Sequence, residues 1–196
     1  MTLTRLNCEK LLGPDDFAPS ADHLKVTGAF NPGAVATGHG GEVVLLVRIT
    51  EDPLEQRAGQ TGLPRWEDGE VVVDWLDNDD LRFLDPRVVE VKATGNTRLT
   101  FTSHLRLVRL PDGRGVDPES LAAGPAIIPE QPTETYGVED PRITPLNDRF
   151  YITYVAASPH GACTALASTD DFLSFERHGV IFPPENKDVL LFPRKI

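Results

Sequence analysis

Apolar residues recur along the chain in short runs with a period near two. The clearest are GEVVLLVRIT, GEVVVDWL, TRLTFTSHLRLVRL, RFYITYVAAS and DVLLFP. Each is rich in Val, Ile, Leu or aromatics, and clusters of Gly, Pro, Asn and Asp separate them, which is the pattern of strands joined by turns. Helical periodicity is scarce. The chain therefore reads as all-β.

A longer repeat lies over this pattern. NPGAV starts at Asn31, DPRVV at Asp85, DPRIT at Asp140 and DVLLF at Asp188, spaced 54, 55 and 48 residues apart. After the first three comes a turn and a longer strand. Several strands per unit of about 40 to 50 residues is the signature of a propeller blade. A β-sandwich gives short strands without the long period and ranks second. The units run over 31–84, 85–139 and 140–187. Residues 1–30 form an N-terminal segment, and 188–196 begin a fourth unit. Closed propellers have roughly four to eight blades, so the expectation is an incomplete propeller of about three blades plus one strand. Its open edge is expected to be covered by further C-terminal blades or by a second copy.

The innermost strand of each blade lines a shared channel. Asn31, Asp85, Asp140 and Asp188 are thereby expected to approach one axis. For Asp85, a plain Asp-Pro turn is the favoured reading. Asp140, with Glu139 beside it, is the candidate acid. Arg142 lies two residues on, and alternation puts it on the same sheet face as Asp140. A salt bridge from Glu139 to Arg142 is expected. Arg48 interrupts the apolar strand VVLLVRI, and a charge there needs a partner. Tyr136, close to Asp140, is the candidate wall of a sugar site; Trp66, Trp75, Tyr151 and Tyr154 are further aromatic candidates, with core packing the default for the two tyrosines.

Composition narrows the function. The 196 residues carry a formal charge of -11, and 40% are hydrophobic. Residues 51–90 hold twelve acids against four arginines, so the acidity is mostly local. Such a balance argues against nucleic acid or an anionic membrane as partner. Cys8 and Cys163 form neither a metal-ligand spacing nor a disulfide framework. No cofactor or metal is expected. No apolar run reaches the roughly 20 residues of a membrane span, and the N-terminus lacks a secretory core; a cytoplasmic protein is expected.

NPGAV with LLVR, TSHLRLVRLPDG, YGVEDPRIT, FYITYVAASPHG and STDDFLSFERHGVIFPPENKDVLLFPRKI together resemble glycoside hydrolase family 130, the β-mannoside phosphorylases and related mannosidases. The likeness covers most of residues 28–196. It implies a five-bladed propeller with a sugar site in its channel. It implies that Asp140 is the catalytic acid, protonating the glycosidic oxygen through a mannose hydroxyl. Asn31 and Arg48 match positions that hold the mannose, Lys187 matches a basic residue near phosphate, and His104 and Arg106 join the substrate-binding set with Tyr136, Arg142 and Asp188. The function expected is inverting phosphorolysis of β-1,4-type mannooligosaccharides to α-mannose 1-phosphate, with inorganic phosphate as co-substrate. The alternatives are a phosphate-independent hydrolase, which needs an opposed carboxylate base roughly 6.5–9.5 Å from the acid, and an inactive fragment or carbohydrate-binding module.

Overall fold

The computed structural model describes residues 9–38 and 40–194; Cys8 lies outside them. Twelve strands are found there, β1 (Leu24–Ala36), β2 (Val43–Pro53), β3 (Gln60–Glu67), β4 (Glu70–Asp77), β5 (Leu81–Asp85), β6 (Val88–Val91), β7 (Thr97–Leu99), β8 (Thr102–Leu110), β9 (Gly137–Leu146), β10 (Arg149–Ser158), β11 (Gly161–Thr169) and β12 (Glu176–Phe182). One short helix, α1, spans Pro118–Ala122. Among the described residues no helix is long and apolar enough to cross a membrane.

The strands form four antiparallel sheets. Two are large, β1-β2-β8 and the meander β9-β10-β11-β12. Their middle strands explain the sequence. VVLLVRITEDP of β2 is buried on both sides because β1 and β8 flank it and packed layers cover both faces. The edge strand β12 instead alternates exposed and half-buried. Turn chemistry sets two of the hairpins. Asp68-Gly69 and Asn147-Asp148 are two-residue loops with positive φ at both positions, the geometry that matches strand twist.

The two large sheets pack face to face. Val44 and Leu46 of β2, Leu105 of β8, Val138 and Ile143 of β9 and Ile152 of β10 share one core, each contributing roughly 1.5–3 kcal/mol on burial. The sheets approach closely at Gly33, where a Cβ would come within 2.8 Å of the Pro141 carbonyl oxygen. On its other face, the β1-β2-β8 sheet buries Leu45, Val47, Ile49 and Val108 under Phe17.

Two expectations change here. β8, expected in the unit 85–139, pairs along its length with β2 of the unit 31–84. The hairpin β3-β4 and the small sheet β5-β6-β7 are inserted between those two partners. Pairing thus builds two large sheets where three repeats were expected. The repeat at Asp85 arises because Asp-Pro there closes the short strand β5 in an exposed turn. The DVLLFP segment is not a strand either. Carbonyls of Val189 and Leu191 instead accept from the hydroxyls of Thr153 and Thr144, which ties the segment to β10 and β9.

Candidate active site

Three of the four repeat starts share a backbone feature. Asn31, Asp140 and Asp188 have φ of 47°, 48° and 62°, the left-handed region that Asn and Asp tolerate best among residues with a side chain. Asp85 is not among the residues with positive φ. At Asn31-Pro32 the β1-β2 register slips between Phe30 and Gly33; at Asp140-Pro141 the β9-β10 register slips between Thr153 and Val155. Each slip is a β-bulge, which bends the strand and re-aims a side chain. Because the two sheets pack face to face, the two bulges meet.

The Asn31 amide donates to Asp140 Oδ1 at 3.0 Å, and Arg48 Nη1 donates to the same oxygen at 2.9 Å. The other arm of Arg48, Nη2, pairs with Glu139 Oε1 at 2.8 Å. Arg48, Glu139 and Asp140 are 8%, 8% and 6% exposed, so this charge cluster is nearly dry. Phe30 and Phe101 sit beside it, with the guanidinium 5.1 Å and 5.7 Å from their ring centres. Ser103 lies 3.4 Å from Glu139 Oε1.

The two neighbouring carboxyls are driven apart. Burial pushes Asp140 up, but the Asn31 amide and the Arg48 and Lys187 charges outweigh it and hold the group below its ordinary range. Burial dominates at Glu139, and the Asp140 charge adds to it, so Glu139 is held above its usual range despite Arg48. Asp140 is thus the ionised member and Glu139 the one that keeps a proton longer.

A cavity of about 410 Å³ opens beside the cluster, lined by Phe30, Arg48, Arg87, Phe101, Glu139 and Lys187, among others. Its charges are three cations and one acid. Lys187 stands 4.0 Å from Asp188, and Arg142 3.9 Å from Asp188. Among the described residues, no group of three or more His, Cys, Asp or Glu side chains could hold a metal.

The expected residues divide clearly. Asn31, Arg48 and Asp140 meet; Lys187 lines the adjoining cavity with Arg48; Asp188 and Arg142 form a second pair. Arg142 reaches only main-chain oxygens of the acid segment, the carbonyls of Asp140 and Pro141. The bulge breaks the two-residue alternation that would have aligned Arg142 with the carboxylate. Glu139 pairs with Arg48 rather than Arg142. Tyr136 is buried, with Arg98 over its ring, and lines a neighbouring cavity instead. The Trp66 indole is tied to Thr102 in a buried contact.

His104 and Arg106 do not join the site. On β8 they fall on the face opposite Ser103 and Leu105. His104 is wholly buried, 3.5 Å from Glu51. Arg106 donates to the carbonyls of Ala18, Leu121 and Ala123. In SHLR it is the serine that faces the charge cluster, at Glu139. Ser103, Phe30, Phe101 and Arg87 were missed from the sequence. Phe30 precedes the bulge residue Asn31, and that adjacency was the available signal; Ser103 had none, since β8 is buried on both faces.

Comparison with known proteins bears on this geometry. Residues 104–196 match the family Glyco_hydro_130, described as beta-1,4-mannooligosaccharide phosphorylase. Over its whole length the chain is 35% identical to a beta-1,2-mannobiose phosphorylase of Listeria innocua, spanning 56% of that protein. A beta-1,2-mannobiose phosphorylase of Thermoanaerobacter is 31% identical over 37% of this chain, which covers 25% of that protein. The Listeria innocua enzyme, solved with beta-1,2-mannobiose, superposes with a TM-score of 0.84 over 95% of this chain and 53% of its own. The chain thus spans about half the length of that relative. A shared all-β architecture, the whole-length identity and the family match at YGVEDPRIT and beyond together assign the chain to glycoside hydrolase family 130.

Proposed function

We propose that the chain carries part of the active centre of an inverting β-mannoside phosphorylase, with β1-β2-β8 and β9-β12 as two adjacent blades of a five-bladed propeller. One observation carries the reading: Asn31 and Asp140, on matching bulges of separate sheets, converge with Arg48 beside a cavity whose other charges are Arg87, Lys187 and Glu139. Phosphate brings its own negative charge and needs cations to hold it. Hydrolysis needs a base across from the acid, whereas Glu139 and Asp140 bind the same guanidinium and so stand side by side.

In the proposed reaction a phosphate oxygen attacks the anomeric carbon as the C1–O bond to the leaving sugar breaks. The proton from Asp140 passes through a mannose hydroxyl to the departing oxygen, and inversion yields α-mannose 1-phosphate. Asn31 and Arg48 hold Asp140 ionised, so the group must gain a proton before it can give one. The co-substrate supplies it: phosphate entering as the dihydrogen anion brings the proton that the leaving sugar finally carries away. For the linkage, a β-1,2 bond is better supported than the β-1,4 bond first expected, because the relative aligned along the entire chain is a beta-1,2-mannobiose phosphorylase. Val180, Phe182, Leu190 and Phe192 expose apolar surface beyond β11. They support a covering for the open side of that sheet, by further blades or a second copy. The cytoplasm remains the proposed compartment.

The test is to incubate the full-length protein with β-1,2-mannobiose, with and without inorganic phosphate, and to measure both products; residues 1–196 by themselves, holding part of the centre, are expected to show little or no turnover. Mannose 1-phosphate formed only with phosphate is expected. Free mannose released equally without phosphate defeats phosphorolysis in favour of the hydrolase. Sugar binding without either product leaves a carbohydrate-binding module.

A further inference from the structure

On a regular strand, neighbouring side chains point to opposite faces. Glu139 and Asp140 are neighbours on β9, yet both reach the Arg48 guanidinium, Glu139 through Nη2 at 2.8 Å and Asp140 through Nη1 at 2.9 Å. The bulge makes this possible, because Asp140 at φ 48° breaks the alternation. One arginine is thus shared by two carboxyl groups that a flat strand would have kept apart.

The sharing leaves the two oxygens of Asp140 unequal. Oδ1 accepts from both the Asn31 amide and Arg48 Nη1. Among the described residues, Oδ2 makes no hydrogen bond. An arginine fork commonly takes both oxygens of one carboxylate at once, through two parallel N–H···O bonds. Here the second prong is occupied by Glu139. The guanidinium also touches the rings of Phe30 and Phe101, and its Nε is buried with no hydrogen-bond partner. Among the described residues, no acceptor other than Glu139 holds Nη2 away from Asp140.

We infer that Glu139 is a positioning residue: by holding one arm of Arg48, it keeps Oδ2 of Asp140 open for the sugar hydroxyl through which the proton passes. The inference rests on the proposed function. Without Glu139, Nη2 turns onto Oδ2 and closes a two-pronged clamp. The clamp blocks the oxygen that must exchange the proton. It also stabilises the carboxylate against protonation. The Asn31 amide and the Arg48 and Lys187 charges already hold Asp140 below its ordinary range, so a further donor works against an acid that has to be protonated.

The experiment uses the full-length protein and two variants, Glu139→Met and Glu139→Gln. Methionine is close in length to glutamate but offers Nη2 no carboxyl oxygen. Glutamine removes the charge and keeps an oxygen that accepts, so the pair separates the clamp from the loss of charge. Initial rates with β-1,2-mannobiose and inorganic phosphate are measured across pH, and the crystal structure of E139M is determined. E139M is expected to lose about a hundredfold in kcat, the scale of a general-acid contribution, with KM for mannobiose little changed. The alkaline limb of its kcat profile moves down by about one pH unit, a tenfold loss of proton affinity. E139Q recovers most of the kcat and keeps the alkaline limb of the parent. In the E139M crystal, Arg48 Nη2 lies within hydrogen-bond distance of Asp140 Oδ2. An unchanged kcat, a fall that is uniform across pH, equal damage in both variants, or an Oδ2 still free in the E139M crystal overturns the positioning role. So does failure of E139M to fold, which makes Glu139 a structural residue. A parent that forms no mannose 1-phosphate overturns the proposed function instead, and the place of Nη2 in the crystal still decides whether Glu139 holds the arm apart.

Discussion

Asp85 and Asp140 begin the same tripeptide, Asp-Pro-Arg, followed in each case by a β-branched residue, yet they do opposite things. Asp140 sits on a bulge at φ 48°, 6% exposed, gripped by Asn31 and Arg48. Asp85 ends a short exposed strand, and its carboxylate accepts only from the Arg87 main-chain N–H among the described residues. Arg87 leans on Phe101 and reaches Asp52, whereas Arg142 folds back onto its own main chain. The difference lies in what packs against each segment. A second sheet faces Asp140 and supplies Asn31 and Arg48 from another bulge and strand; solvent faces Asp85. A short motif acquires its role from the surface it is pressed against.

Substitution at the two aspartates breaks the comparison most sharply. Asp140→Ala removes a carboxylate from a buried ion cluster and is expected to destabilise the fold by about 3–5 kcal/mol, as broken buried pairs do. Asp85→Ala is expected to stay within about 0.5 kcal/mol. Urea denaturation of both variants measures the gap, and similar midpoints would remove the distinction.

The meeting of the two sheets is the next target. A methyl group at Gly33 would press on the Pro141 carbonyl at 2.8 Å, and backbone cannot swing away as a side chain can. Gly33→Ala is expected to lose about 1–3 kcal/mol through overpacking. Gly124→Ala, where nothing lies within 4 Å, serves as the matched control and should leave the melting temperature unchanged.

The smallest effect probes the carboxyl pair. Glu139 holds its proton more tightly folded than unfolded. Its contribution to stability is therefore fully present below the unfolded pKa and is lost as pH rises through the raised folded value. Gln cannot ionise. Glu139→Gln should match the parent in acid and become relatively more stable towards neutrality, by about 1 kcal/mol or less. Asp140 acts in the opposite sense: its folded pKa is lowered, so its stabilisation is complete above the unfolded value and fades as pH falls through the folded one. A flat stability difference between parent and E139Q from acid to neutral pH would contradict the split between the two groups.

Strand content and turn positions were legible in the chain itself, because period-two burial and Asp-Gly or Asn-Asp loops are local properties. Asn31 and Asp140 were legible too. The recurring Asn-Pro and Asp-Pro singled them out as candidates, although the structure places both on bulges inside β1 and β9 and not at the strand starts expected. The charge on Arg48 inside an apolar run foretold a buried partner. The identity of that partner was not foretold, since Glu139 and Asp140 lie about ninety residues away along the chain.

Tertiary structure alone decided the rest. It paired β8 with β2 across an insertion of about fifty residues, so the spacing that ended at Asp85 measured an inserted turn rather than a blade. It also turned Ser103 towards Glu139 and His104 and Arg106 away. A strand covered on one face announces its orientation by alternation, but β8 is covered on both, and its sequence is apolar or polar without regard to side. Which face meets the active centre is then set by the neighbouring sheet, through packing contacts that no stretch of this sequence contains by itself.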